Sequence, residues 1–258
     1  MNNHQSFLEN SIDLSLTRVE AYDVCKHRYA FRRGTDVVDG MSLALGNMVS
    51  GFPFYLNGVH FLNSECAYIA GLFSTGTPEC IDIQRQLTMC SNGFVAKKCI
   101  SKPHRELWRS DWEEVRVQWM LYVVWQKCIS NRDFASLLLS LPGDAVIIED
   151  STNQHGATAS FWGTKNEELR KLMLDAKRNF KVQGLCKSSI RRELDHLRLN
   201  EWRNVGTFVG CNMMGKIIKL CQLALLHHTE PAIVYGLLAA KKINLLGKEL
   251  MFNQSNAA

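Results

Sequence analysis

The sequence predicts an α+β fold in which helices outnumber short strands. The clearest helix is Trp112–Ile129, where apolar residues recur at helical spacing and Asp111 stands at the N-cap position. Phe52–Phe61 predicts a β-hairpin, because Asn57-Gly58 tolerates the positive φ angles of a two-residue turn. Ala145–Glu149 predicts a short apolar strand. The stripe of the long helix consists of Val115, Trp119, Tyr122, Val123 and Gln126, with Arg116 and Lys127 off the stripe.

The composition is that of an ordinary globular protein. Of the 258 residues, 46% are hydrophobic and 21% are charged, and the net charge is +5. This mild positive charge suits an anionic ligand or a nucleic acid without singling out either. Residues 1–14 lack the basic start and apolar core of a secretion signal, and no apolar run approaches the length of a membrane span. We therefore expect a cytoplasmic protein with no membrane partner.

The cysteines and histidines indicate neither a disulfide framework nor a metal site. The nine cysteines are scattered without a C-x-x-C pair, which favours reduced thiols. His227 and His228 are adjacent and so point apart on a helix, and no His/Cys/Asp cluster has the spacing of metal ligands. We expect no metal and no cofactor.

A carboxylate lies at a predicted helix start directly after the hairpin. Asn63 or Ser64 suits the N-cap, which places Glu65 in the first turn. A negative charge there is stabilised by the helix dipole and stays reachable from outside the helix. Gly46-Asn47, before the hairpin, is a turn-type pair. Glu65 is either a functional carboxylate or an ordinary helix-start residue.

Two basic segments could bind an anion. Tyr29–Phe31 predicts a short strand that delivers Arg32 and Arg33 to its end, and the guanidinium fork matches a phosphate group. The segment Lys97–Arg109 holds five Lys and Arg residues and one histidine. The alternative for both segments is a solvated basic surface.

The second half of the chain adds an acidic strand end, a tryptophan and a glycine-flanked asparagine. Asp150 follows the strand Ala145–Glu149 and is either the rim of a site or an ordinary strand end. Trp162-Gly163 offers an aromatic face for stacking. Gly210–Gly215, which includes Asn212, precedes the predicted helix Lys216–Leu226 and could bring backbone N–H groups close to a phosphate or sugar.

These segments, in this order and spacing, resemble the NADAR family of N-glycosidases. The likeness runs from about Phe31 to Leu225 and is closest to the branch paired with ADP-ribosylating toxins. The L-S-N-M-x-x-G-F-P signature of that branch corresponds to Leu45–Pro53, and S-E-A-L-Y corresponds to Ser64–Tyr68. Some members act on phosphorylated riboflavin-pathway intermediates, and others remove ADP-ribose from guanine.

The resemblance implies a set of site residues. Glu65 matches the catalytic glutamate and Asn47 an asparagine that lines the sugar pocket. The family commonly has an aspartate where this chain has Ala159, so a role of that aspartate in positioning substrate or water would pass to Asp150, Glu149 or another residue. The residues implied to bind substrate are Arg32, Arg33, Gly46, Lys97, Arg109, Asp150, Trp162, Gly163, Asn212 and Gly215.

The resemblance also implies the architecture and the activity. The fold is expected to be one mainly helical α+β domain around a small sheet, with its core at about 29–226, a helical insertion at about 165–204 and a C-terminal extension at 227–258. The expected activity removes ADP-ribose from guanine in DNA or RNA, in functional pairing with an ADP-ribosyltransferase.

Two alternatives remain open for the function. One is hydrolysis of a small ribose-phosphate conjugate, a riboflavin-pathway metabolite. The other is a protein without catalytic activity that sequesters an ADP-ribose-type nucleotide.

Overall fold

The protein is a mainly helical α+β fold, as predicted. The structure, a computed structural model, describes residues 18–22 and 28–252, so the prediction made for residues 1–14 lies outside the described part. Helices account for 52% and strands for 13% of the structure.

The described strands are short. They are β1 (Glu20–Tyr22), β2 (Arg28–Phe31), β3 (Val37–Val38), β4 (Met41–Ser42), β5 (Phe54–Leu56), β6 (Val59–Phe61), β7 (Val146–Glu149), β8 (Phe208–Gly210), β9 (Asn244–Leu245) and β10 (Lys248–Glu249). They form two-stranded pairs: β2 and β7 are parallel, whereas β1–β8, β3–β4, β5–β6 and β9–β10 are antiparallel.

The α-helices hold nearly half of the described chain. They are α1 (Ser64–Leu72), α2 (Pro78–Met89), α3 (Gly93–Val95), α4 (Trp112–Ser130), α5 (Arg132–Ser140), α6 (Ala157–Trp162), α7 (Glu167–Val182), α8 (Lys187–Leu199), α9 (Met213–Leu226) and α10 (Tyr235–Ala240). A π-helix at Ala96–Ser101 and a 3₁₀-helix at Lys102–Leu107 follow α3 directly.

The described residues form two compact units. The first unit holds residues 45–143 and 217–252, and the second holds residues 18–22, 28–44 and 144–216. The predicted helical insertion corresponds to α7 and α8, which lie in the second unit. That the whole chain is a single domain stays a prediction.

The first unit is built on the contact between α1 and α4. The Trp119 side chain of α4 is fully buried, and its Nε1 donates to the carbonyl oxygens of Ala67 and Tyr68 at 3.3 and 3.2 Å. A Cβ on Gly71 would lie 2.1 Å from that nitrogen, so only glycine lets the two helices approach this closely. The hairpin β5–β6 turns at Asn57-Gly58 with φ of 49° and 80°, as predicted.

Two details of α4 differ from the sequence prediction. Asp111 occupies the N-cap position, but its carboxylate pairs with Arg109 at 2.6 Å and makes no capping hydrogen bond. Lys127 is buried, although it lies off the predicted apolar stripe. Phe52 and Phe134 cover its ammonium, with ring centroids 5.1 and 3.9 Å from Nζ.

The second unit is organised around the parallel pair β2–β7. The apolar faces of α7 and α8 pack against these strands and β8, which explains why two charge-rich helices are stable here. The buried cluster consists of Ile148, Leu169, Met173, Ile190, Leu194 and Phe208.

Candidate functional site

The start of α1 holds Glu65 in place in the first unit. Asn63 is the N-cap, and its Oδ1 accepts from the Cys66 N–H at 3.0 Å. The Glu65 N–H donates to the Asn47 carbonyl at 3.1 Å, which joins the helix start to the Gly46–Val49 turn. These bonds satisfy helix-start donors that would otherwise lack partners, so the position of Glu65 is fixed by backbone contacts.

The Glu65 carboxyl group is almost fully buried and sparsely paired. The residue is 7% exposed, and among the described residues its only ion-pair partner is Lys97, whose Nζ lies 3.8 Å from Oε1. No described residue donates a hydrogen bond to the carboxylate. Burial raises the pKa of Glu65 above its ordinary value, and the positive charge of Lys97 partly offsets this. A buried carboxylate with open lone pairs suits proton transfer or the stabilisation of a cation.

Replacing Lys97 with methionine is expected to raise the pKa of Glu65 further, because the nearest opposite charge is lost. The measurement is a carbon-detected NMR titration of the Glu65 carboxyl group. Lys98→Met is the matched control, since Lys98 lies over the Phe94 ring with its Nζ 5.9 Å from the centroid. An unchanged Glu65 titration in Lys97→Met would contradict the assigned electrostatic role.

Asn47 contributes an unsatisfied polar atom beside Glu65. Its Nδ2 contacts the Met120 sulfur at 3.1 Å. Its Oδ1 is buried and has no hydrogen-bond partner among the described residues. A buried amide oxygen without a donor is costly and favours a bound hydroxyl group or water.

Gly93 forms a wall of this site that the sequence interpretation missed. A Cβ on Gly93 would lie 3.0 Å from both Glu65 Cβ and Met48 Cγ. The Asn92-Gly93 pair signals a break between helices, and Asn92 does cap α3, but the need for a small residue beside Glu65 is visible only in the fold. The π-helix that carries Lys97 was also unpredicted, and such helices recur at functional sites.

An aromatic pair lies near the same carboxylate. The Tyr68 and Trp112 rings are 5.0 Å apart and tilted by 55°. Burial raises the pKa of Tyr68, and the negative charge of Glu65 raises it further. The first unit thus combines a carboxylate, an amide, a cation and an aromatic pair.

Arg109 lies in the same unit, but its guanidinium is hydrogen-bonded to neighbouring parts of the chain. Its guanidinium donates to both Asp111 carboxylate oxygens, to Ser74 Oγ at 2.7 Å and to the Lys241 carbonyl at 2.7 Å. Four of its donor bonds therefore go to protein acceptors, which fixes the chain around Ser74. The Gly46 carbonyl accepts from the Val49 N–H at 3.1 Å within its turn.

The remaining predicted residues lie in the second unit, several of them at the ends of β2 and β7. Asp36 Oδ2 accepts from the backbone N–H groups of Arg32 and Arg33 at 2.8 and 3.0 Å, and Asp36 Oδ1 accepts from Arg198 at 2.6 Å. Asp150 is buried, with Oδ2 4.0 Å from Arg32 and 3.7 Å from Arg198. The Asp150 carboxylate therefore offsets the positive charges of Arg32 and Arg198 inside the unit.

The glycines and Asn212 of the second unit serve close packing at β7. Asn212 Oδ1 accepts from the Glu149 N–H, and its Nδ2 donates to the Ile147 carbonyl, both at 2.9 Å. A Cβ on Gly215 would lie 2.3 Å from the Ile147 oxygen, and one on Gly163 would lie 2.4 Å from Ser151 Oγ. These contacts explain the glycine-flanked asparagine without a ligand.

Trp162 and Ala159 lie in α6. Trp162 is half-buried and meets Phe161 edge to face at 5.2 Å. Ala159 is 5% exposed, so an aspartate there would need a buried partner.

Replacing Asn212 with alanine is expected to lower the free energy of unfolding by about 2 kcal/mol, because it leaves two backbone groups of β7 without their hydrogen-bond partner. Asn212 also has a φ of 50°, which alanine tolerates less well. Urea unfolding followed by circular dichroism measures the loss. Asn200→Ala is the control, since the exposed Asn200 side-chain amide donates to the His196 carbonyl of the preceding helix and to no other described residue. Equal midpoints for both variants would refute the assigned role.

Within the described part of the chain, no group of three or more His, Cys, Asp and Glu residues could hold a metal ion. In the same residues, no helix has both the length and the apolar character needed to cross a membrane. No protein-family model matches the chain, and a search of curated proteins finds no significant match.

Proposed function

We propose that the protein is an N-glycosidase that hydrolyses a bond between ribose C1′ and nitrogen, and that it removes ADP-ribose from guanine. The observation that carries the proposal is the buried, sparsely paired carboxyl group of Glu65 beside the unsatisfied amide oxygen of Asn47. The likeness of the segments around these residues to NADAR signatures supports the reaction class.

The proposed reaction assigns a role to each neighbouring group. Departure of the base leaves an oxocarbenium-like ribose, whose positive charge an ionised Glu65 stabilises. Glu65 accepts a proton from the attacking water and returns it to the departing nitrogen, so protons balance over the cycle. Lys97, 3.8 Å away, favours the ionised form against burial. The Asn47 amide oxygen accepts from a ribose hydroxyl, and no cofactor takes part.

The biological setting proposed is reversal of nucleic-acid ADP-ribosylation in the cytoplasm, opposite an ADP-ribosyltransferase. The substrate is then ADP-ribosylated guanine in DNA or RNA. Within the first unit, the predicted substrate contacts of Gly46 and Lys97 remain part of this proposal.

The test incubates the purified protein with a DNA oligonucleotide that carries ADP-ribose on guanine and follows both products by mass spectrometry. Free ADP-ribose together with the unmodified oligonucleotide is the expected result. An intact substrate would overturn the proposal. Phosphorylated riboflavin-pathway intermediates are assayed in parallel, and their exclusive cleavage would identify the metabolite alternative.

A sequestering protein is the second candidate, and the buried Ala159 favours it because the aspartate common in the family is missing there. Such a protein would retain an ADP-ribose-type nucleotide through gel filtration and release no product from the modified oligonucleotide.

A further inference from the structure

A basic cavity lies within the second unit, between α7, α8 and the end of β2. Its volume is about 570 Å³, within the usual range for small-molecule sites. It is lined by Arg32, Arg33, Asn153, His155, Arg170, Met173, Leu174, Lys177, Lys181, Lys187, Ile190, Arg191 and Leu194. Seven of these residues are Arg or Lys, and none is acidic.

Only three of the seven lining cations have an ion-pair partner among the described residues. Arg33 pairs with Asp195, Arg170 pairs with Glu167 at 3.2 Å, and Arg32 lies 4.0 Å from Asp150. The other four lining cations make no ion pair with any described residue: Lys177, Lys181, Lys187 and Arg191. The cavity therefore holds an excess of positive charge.

Burial and the neighbouring arginines disfavour the charged form of Arg33, which lowers its pKa. Burial, together with the positive charges of Arg32, Arg191 and Arg198, lowers the pKa of Arg33 from 12.5 to about 10, against the opposing charge of Asp36. Close like charges in a partly buried setting are stabilised by a bound anion.

One part of the cavity wall is apolar. Met173, Ile190 and Leu194 are at least nine-tenths buried and also belong to the core of the unit. Leu174 lines the cavity too and is 43% exposed. An apolar wall opposite Lys and Arg side chains fits a ligand that joins a charged group to a flat or apolar one.

We propose that the basic cavity binds a small nucleotide-type ligand, with its oligophosphate on the Lys and Arg side chains and its base on the apolar wall. The cluster of unpaired cations favours two or more phosphate groups, and the bounded volume favours a small molecule over a continuous nucleic-acid strand. The inference stands independently of the proposed N-glycosidase function, because it uses residues of the second unit alone.

Isothermal titration calorimetry with ATP, inorganic pyrophosphate and adenosine tests the proposal. The wild-type protein is expected to bind ATP in the micromolar range, pyrophosphate more weakly and adenosine weakest. The double variant K177A/R191A is expected to weaken ATP binding by about tenfold or more, since it removes two charge-assisted contacts. Circular dichroism checks that the variant is folded.

The matched control is R178A/R192A, which removes the same charge from the next residue of each helix. Arg178 and Arg192 are 76% and 78% exposed and pair with Asp175 and Glu193 outside the cavity. ATP affinity within twofold of wild type is expected for this control. Equal losses in both variants, or no ATP binding by wild type at millimolar concentration, would overturn the proposal. Tighter binding of a single-stranded oligonucleotide, abolished by K177A/R191A, would replace it with a nucleic-acid site.

Discussion

Glu65→Gln is expected to fold like the wild type and to lower the proposed N-glycosidase turnover by about 10³-fold, because an amide can neither take a proton from water nor stabilise an oxocarbenium ion by charge. The geometry favours a clean test. The Glu65 backbone N–H, not its side chain, holds the residue against Asn47, and no described residue hydrogen-bonds the carboxylate. Glutamine keeps the size and the backbone contact. The measurement is the release of ADP-ribose under single-turnover conditions.

Glu79→Gln is the matched control for this experiment. Glu79 occupies the same position of α2, two residues after the N-cap Thr77, but is exposed to solvent. Both variants lose one first-turn charge, so a general effect on helix stability would appear in both. Near-wild-type release by Glu65→Gln would remove Glu65 from the mechanism, and equal loss in both variants would point to folding instead.

Lys127→Met is expected to stabilise the protein by about 3 kcal/mol below pH 7, because it replaces a charge held in an apolar environment. Burial lowers the pKa of Lys127 from 10.5 to about 7, and its ammonium has no hydrogen-bond partner among the described residues. The contacts with the Phe52 and Phe134 rings offset part of the cost.

The stabilisation should depend on pH with a defined sign. Between about pH 7 and pH 10.5 the folded protein holds a neutral amine while the unfolded chain still binds the proton. Because the unfolded chain binds more protons than the folded protein in this window, the free energy of unfolding of the wild type rises with pH. The advantage of Lys127→Met is therefore largest below pH 7 and shrinks towards pH 10. Guanidinium unfolding at several pH values measures this.

Lys98→Met is the control for Lys127→Met, since the exposed Lys98 also lies over an aromatic ring, that of Phe94. Its unfolding midpoint is expected to stay near wild type at every pH. A constant difference between Lys127→Met and wild type from pH 6 to pH 10 would contradict the titration argument.

Local signals predicted much of the first unit. The Asn57-Gly58 turn, the cap at Asn63 and the first-turn position of Glu65 depend on neighbouring residues, which a sequence displays directly. Lys127 shows the limit of this approach. Its burial depends on Phe52, which is distant in sequence, so the helical pattern of α4 alone does not predict that Lys127 is buried.

In the second unit, the roles of several predicted site residues depend on contacts between segments that are distant in sequence. The loop around Asn212 looked suited to a phosphate, but its amide bonds two backbone groups of β7 that no local pattern identifies. The basic cavity combines a strand end with two helices, and no local sequence pattern groups its lysines with Arg32 and Arg33. Only the fold places them around one space.

Asp36 ties the backbone after β2 to Arg198 of α8 through one buried carboxylate. The end of β2 and helix α8, which form two walls of the basic cavity, are therefore joined without a ligand. Little conformational freedom is then lost when a ligand binds. For the proposed ligand, the electrostatic attraction would then contribute to affinity and would not be offset by ordering of the chain, and the fixed walls would favour ligands of matching shape as well as charge.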